Sequence, residues 1–327
     1  MEIGFCYDIE ENHPRKDEVE DMTAEYESEE TIEALSDILS DIGSVIHLPW
    51  HNNIFKELKQ YNPDVVFNIT ESWGTRNRES YIPNMCEILN IPYTGSDGLA
   101  LGISLDKELT KHIARSEGIN TPDFIKVNSI ETVEKIDLNY PLFVKPNNEG
   151  SSIGIRRSSQ VNSKKELKKT VEKLLDKYNH SILIEEFAPG REFVVAVLGN
   201  HEPEVFPVAE ILVEGGDFPF YSYEFKGAHQ KTISFPGDLS QEKEEQMVND
   251  TKKIFKALGC RDIARADFKL DQEGNPLFLE INPLPGLSPY YSVYPQQADK
   301  AGVDLNEIIE KLINSALSRK NGGNNNV

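Results

Sequence analysis

Two runs close to residue 270 place oxygen-bearing side chains at alternate positions. In Arg265-Ala266-Asp267-Phe268-Lys269, a period of two puts Arg265, Asp267 and Lys269 on one face and Ala266 and Phe268 on the other. In Leu277-Phe278-Leu279-Glu280-Ile281-Asn282, Glu280 and Asn282 share a face, and Leu277, Leu279 and Ile281 take the opposite one as core. Asp267, Glu280 and Asn282 are all hard oxygen donors. Such donors suit Mg²⁺, which binds through one or two carboxylates together with substrate phosphates. A surface hairpin with its charges in water has the same alternation, so spacing alone leaves both readings open.

A second stretch, Lys145-Pro146-Asn147-Asn148-Glu149-Gly150-Ser151-Ser152-Ile153-Gly154, sets a lysine at a strand end before a Gly/Ser-rich loop. Backbone N–H groups and hydroxyls of such a loop can bind phosphate, with the lysine as a point charge. Neither GxxxxGK[ST] nor GxGxxG occurs, so this is neither a Walker loop nor a dinucleotide fingerprint. A third stretch runs an apolar strand, Leu183-Ile184, into Glu185-Glu186-Phe187, with Gly190-Arg191-Glu192 following. Its backbone edge could bond an adenine and the later carboxylate a ribose, or the acids could simply be solvated. A fourth, Asn282-Pro283-Leu284-Pro285-Gly286-Leu287-Ser288, reads as a rigid turn able to present N–H groups to an anion.

These side chains need elements to hold them. The first third alternates apolar runs at 2–7, 45–48, 65–69 and 91–94 with helical patterns at 28–42, 51–60 and 79–89, Ser28 serving as an N-cap. That alternation predicts a parallel, doubly wound unit over 1–101, with ligands beyond the carboxyl ends of its strands, where 68–80 lies. A central unit over 102–188 has a helix at 104–117, strands at 141–145, 153–157 and 181–186, and a basic-rich helix at 163–177. A last unit over 189–320 has strands at 191–198, 204–213, 262–270 and 276–282, helices at 241–258 and 304–318, and an irregular stretch from 214 to 236. Residues 321–327, rich in Gly and Asn, read as a disordered tail.

The 327 residues carry a net charge of -21, which argues against nucleic acid and anionic lipid as partners. Residues 1–30 hold twelve Asp or Glu against two Lys or Arg. This reads as a solvated loop and helix face, or more weakly as a lure for a cationic substrate. Cys6, Cys86 and Cys260 are widely spaced and read as buried thiols. No long apolar run and no basic leader pattern is seen, and the expected location is cytoplasmic.

In this order and at these separations the stretches resemble the ATP-grasp superfamily, and more closely the D-alanine–D-alanine ligases. The likeness runs from about residue 62 to 318 and includes Ile91–Ser96, Leu105-Asp106-Lys107, Gly118–Pro122, Val144–Gly154, Glu185–Glu192, Arg265–Phe268 and Glu280–Gly286. It implies an α/β (α+β) ATP-grasp fold and a homodimer. It implies that Lys107 and Lys145 hold ATP phosphates under a flexible Ser151-Ser152 loop, and that Lys226 reaches those phosphates from a mobile segment. Glu185, Glu186 and Phe187 would form the adenine edge and Glu192 would take the ribose. Asp267, Glu280 and Asn282 would hold two Mg²⁺ ions, which Mn²⁺ could replace. Arg265 would stabilise the tetrahedral intermediate, and Gly286 with Ser292 would bind the second substrate's carboxylate.

The chain departs from the ligases at the first-substrate end. Their Gly-Gly-x-Ser-x-Glu loop, whose glutamate holds the first amino acid's ammonium, is replaced by Tyr7-Asp8-Ile9-Glu10-Glu11-Asn12 and an acidic insertion. Their His-Gly…Gly-Glu-Asp-Gly stretch is replaced by Asn68–Ser80, which brings Glu71 to the substrate end, and Gly227 stands for the tyrosine after the loop lysine. The functions implied are a D-alanine–D-alanine-type ligase, a related ligase making another dipeptide or small-molecule amide, or a nucleotide-binding protein or kinase that ligates nothing.

Overall fold

The alternation at the start of the chain forms a three-stranded parallel sheet in the order β2-β1-β3, from β1 (Glu2–Tyr7), β2 (Ser44–Pro49) and β3 (Val65–Asn68). The coordinates are a computed structural model that describes residues 1–14, 18–178, 180–213 and 231–321. Helices α1 (Glu29–Ile42), α2 (Ile54–Tyr61) and α3 (Tyr81–Leu89) link and flank these strands. Ser28 caps α1, its hydroxyl accepting from the Thr31 N–H. The strand expected at 91–94 is reduced to one bridge between Val66 and Tyr93. Pro92 has no N–H for a ladder, and the chain turns away at Gly95, with φ at 85°.

The single helix expected at 104–117 is two, α4 (Gly98–Leu105) and α5 (Lys107–Ser116). Asp106 breaks the helix with ψ at 94° and caps α5, its carboxylate accepting from the Leu109 N–H. An antiparallel sheet follows, ordered β4-β7-β5-β6, from β4 (Phe124–Val127), β5 (Leu142–Pro146), β6 (Gln160–Val161) and β7 (Ile182–Glu186). Helix α6 (Lys164–Tyr178) covers it. No strand forms at 153–157. Ser151, Ser152 and Gly154 all take positive φ, so the segment coils back and β5 meets its partner only at Gln160.

The third sheet is ordered β11-β10-β8-β12-β13, with β9 paired to β8. Its strands are β8 (Glu192–Leu198), β9 (Glu204–Val205), β10 (Ala209–Val213), β11 (Lys231–Ser234), β12 (Ile263–Leu270) and β13 (Pro276–Asn282). The strand expected at 204–213 is interrupted near Pro207, which cannot donate to a ladder. Strand β11 falls within the stretch expected to be irregular. Helix α7 (Gln241–Ala257) packs on this sheet, and the last helices are α8 (Val293–Lys300) and α9 (Leu305–Asn321). Helix α8 was not expected. Its Pro295 sits in the first turn, where no intrahelical N–H is needed. Of the segment read as a disordered tail, 322–327 lie outside the described residues.

Apolar cores follow the alternation, with one correction. Ala266, Phe268, Phe278 and Ile281 are buried behind the third sheet. Leu277 and Leu279 are only partly buried. The β12–β13 register shifts between Asp267↔Glu280 and Phe268↔Phe278, which leaves Leu279 as a bulge residue. The bulge sends Phe278 into the core and turns Leu279 and Glu280 together towards the cleft. The three cysteines are free and buried, as expected.

Candidate active site

The cleft between the second and third sheets gathers most of the residues picked out by type and spacing. Lys107, Lys145, Ser151, Ser152, Glu185, Glu186, Phe187, Glu192, Arg265, Asp267 and Glu280 all line one cavity. Its apolar walls include Phe143 and Phe187, with ring centroids 6.1 Å apart, and Leu279, which alternation had assigned to the core. Lys269 closes the end near Glu192, its Nζ 3.9 Å from a Glu192 oxygen. Lys226 lies outside the described residues.

Charge is concentrated at the inner end. The Lys107 ammonium donates to the Glu149 carbonyl at 2.5 Å and sits 3.2 Å from Glu280 Oε2. Lys145 Nζ lies 2.8 Å from Glu185 Oε1, and Lys111 Nζ 3.0 Å from Glu185 Oε2. So the Glu185 side chain pairs with two lysines. Burial works to raise the Glu280 carboxyl pKa, but Lys107, Lys145 and Arg265 outweigh it and hold it at about 2. Burial likewise works to lower the Lys145 pKa, and Glu185 with Glu280 more than reverses this. Both groups are therefore charged at neutral pH.

The expected metal trio sits on adjoining strands. Asp267 and Glu280 are cross-strand partners, as are Arg265 and Asn282. Arg265 grips Asp267 with Nε at 2.7 Å and Nη2 at 2.9 Å, and the Asn282 amide oxygen accepts from the Leu284 N–H at 2.9 Å. Among the described residues no three His, Cys, Asp or Glu side chains converge as a metal cage. Two carboxylates and one amide oxygen fit a hard divalent cation that completes its shell with phosphate oxygens and water.

A second cavity, of about 640 Å³, opens beside the first and shares Gly150, Ser151, Ser152, Arg265 and Glu280 with it. It is also lined by Asn282, Gly286, Tyr290, Tyr291 and Ser292 and by Glu25, Glu27 and Glu71, with Glu27 accepting from Tyr291 Oη at 2.5 Å. Ser292 Oγ accepts from the Ser288 N–H at 3.1 Å and stands 2.8 Å from where a Cβ on Gly286 would fall, so only glycine fits there without displacing it. Burial first, then Glu79 and Glu25, push the Glu71 carboxyl well above the usual range.

The acidic segment is a solvated face only in part: Glu10, Glu11, Glu18, Glu20, Glu29 and Glu30 are exposed, whereas Asp21 and the Glu25 side chain are buried. Val19 and Met22 pack on the second sheet's core. Asp21 accepts from the Gly154 N–H at 3.0 Å, Arg156 Nη2 at 2.7 Å and Tyr178 Oη at 2.7 Å. Glu25 accepts from the Gly150 N–H at 2.6 Å and from Arg78 Nη2 at 2.7 Å. Arg78 also reaches Glu149 at 3.1 Å and the Asn148 carbonyl at 2.8 Å. Residues 18–27 thus form a strap across the phosphate loop. Sequence reading missed Arg78 and the role of Glu25. The spacing Thr23-Ala24-Glu25 mimics the end of the Gly-Gly-x-Ser-x-Glu pattern and was the available signal.

The family described as "D-ala D-ala ligase C-terminus" matches residues 113–314. The chain belongs to the D-alanine–D-alanine ligase family. The D-alanine–D-alanine ligase of Carboxydothermus hydrogenoformans is 35% identical over 284 residues, covering 83% of this chain and 86% of that one. The vancomycin/teicoplanin A-type resistance protein VanA of Enterococcus faecium is 36% identical over 273 residues, covering 82% and 78%. A crystal structure of D-alanine–D-alanine ligase from Bacillus anthracis superposes with a TM-score of 0.76 at 25% identity, over 99% of this chain and 100% of that one. The three sheets are those of the ATP-grasp ligases of this family. None of the described helices is long and apolar enough to cross a membrane.

Proposed function

We propose that the protein activates an amino acid's carboxylate as an acyl phosphate with ATP and joins it to the amine of a second amino acid. The wall shared by the two cavities carries this reading. Ser151, Ser152, Arg265 and Glu280 border both, so a phosphate in the first and a carboxylate in the second would meet there. Lys107 and Lys145 would neutralise the transferring phosphoryl group, the main contribution a protein makes to such transfers. Mg²⁺ bound by Asp267, Glu280 and Asn282 would supply further neutralisation. Arg265 would turn to the oxyanion formed when the amine attacks, a type of contact that contributes about 3–4 kcal/mol. Gly286 and Ser292 would seat the second substrate's carboxylate. Glu25, with Glu71 beside it, would take the first substrate's ammonium.

The substrate pair of the D-alanine–D-alanine ligases is the first reading. A second, a different amino-acid pair, is favoured by the three carboxyl side chains, Glu25, Glu27 and Glu71, that line the second cavity. Both are tested by ADP release against D- and L-amino acids, singly and paired, with D-lactate as an alternative acceptor and hydroxylamine to trap acyl phosphate. Turnover with D-alanine alone selects the first. Trapping only with another acid selects the second. No ADP release with any amino acid, but ATP consumption with another acceptor, would overturn the ligase assignment.

A further inference from the structure

Lys111 is a fully buried ammonium that the chemistry above does not use. It lies one turn after Lys107 on α5 and, unlike Lys107, does not line the cleft. It forms an ion pair with Glu185 Oε2 at 3.0 Å and donates hydrogen bonds to Thr121 Oγ1 at 2.8 Å and the Phe278 carbonyl at 3.4 Å. The Thr121 hydroxyl in turn donates to the same Phe278 carbonyl at 2.7 Å. A buried lysine costs several kcal/mol unless its partners hold it well, and an apolar residue would fill such a space more cheaply.

The partners explain its place. Glu185 is the carboxylate that grips Lys145, and its second oxygen is paired with Lys111. Phe278 lies on the other sheet, immediately before the bulge residue Leu279 and two residues before Glu280. One ammonium therefore ties the phosphate lysine of the second sheet to the bulge that aims the metal carboxylate of the third. We propose that Lys111 is a positioning residue that sets Lys145 against Glu280, with Glu185 and Thr121 as its two arms, so that the cleft binds the phosphate part of ATP. The proposal rests on the ligase reading of the cleft. It assigns the Glu185 side chain to phosphate positioning and not to adenine recognition.

Calorimetric titration with ATP and with adenosine, both with Mg²⁺ present, separates these roles. Lys111→Met should weaken ATP binding at least about tenfold, the scale of one lost charged hydrogen bond. Adenosine binding and the KM values of both amino acids should stay unchanged while kcat falls. Thr121→Val should do the same more mildly, and Thr121→Ser, which keeps the hydroxyl, should restore ATP binding. The Thr121 pair carries the test if Lys111→Met does not fold. Equal losses for ATP and adenosine would show a structural or adenine-binding role and overturn the proposal. So would wild-type ATP affinity in both Lys111→Met and Thr121→Val. Failure of the wild type itself to bind ATP would refute the ligase reading, and the positioning role with it.

Discussion

Asp267 and Glu280 sit directly opposite each other, yet the structure gives them different partners. Asp267 is held by Arg265, while Glu280 faces Lys107 and stays ionised under the pull of three cations. Asp267→Asn or Glu280→Gln should remove turnover and leave the fold intact, because each keeps its volume and loses only charge. ADP release at saturating Mg²⁺ measures this, and near-normal rates would sink the metal assignment. Glu25 offers a separate test. If it takes the first substrate's ammonium, Glu25→Gln should raise that amino acid's KM about tenfold or more. The ATP KM should change far less, and an unchanged amino-acid KM would remove Glu25 from the substrate site.

At the scale of elements, the strap and the bulge decide where functional groups point. The strap carries two buried carboxylates that occupy N–H groups of the phosphate loop. Burial alone would raise the Asp21 pKa. Hydrogen bonds from Tyr178 and Gly154, with Arg156 and Lys177 nearby, outweigh it and leave the pKa below its ordinary value. A carboxyl that titrates lower folded than unfolded stabilises fully above the unfolded value of about 3.9. That contribution is lost as pH falls further, through the folded value. Denaturant melts of Asp21→Asn should therefore differ from wild type by about 3 kcal/mol near neutrality, the scale of a broken buried pair. The difference should shrink in acid. A difference that is constant with pH would show that Asp21 acts by shape alone.

Across the whole molecule, the beginning and end of the chain share one core. Ile3, Phe5, Leu35 and Phe67 from the first unit pack with Ile308, Leu312 and Ala316 of α9. The buried Asp262 carboxylate fastens this arrangement. It accepts from Gly95 N–H at 2.8 Å, Ser315 Oγ at 2.6 Å and Arg319 at 2.6 and 2.9 Å, while Arg319 also reaches the Tyr93 carbonyl. Asp262→Ala should cost about 3 kcal/mol, the low end for a buried pair because Arg319 is partly exposed. Thermal melting would show it as a loss of stability with ATP affinity retained, since the cluster lies away from the cleft. A variant with unchanged melting would refute the fastening role.

The sequence by itself determined the strand carrying Asp267 and Phe268, the Ser28 cap, the lysine-to-loop transition at Lys145 and the order of the family's motifs. These depend on local period and on contiguous residues, which one chain displays directly. It did not determine the direction of Leu279, because a bulge is a relation between two strands and period two cannot reveal it. It did not separate the Glu185 side chain from its backbone edge, because Lys111 comes from a helix more than seventy residues earlier. Nor did it place the acidic segment. Asp21 and Glu25 are ordinary solvated charges by composition, and only the return of the chain over Gly150 and Gly154 supplies the donors that bury them. The wall between the two cavities is likewise tertiary, since its members come from the loop after β5 and from β12 and β13. The means of activating a carboxylate was thus legible in short motifs, whereas the pocket that chooses the carboxylate formed only when distant segments met.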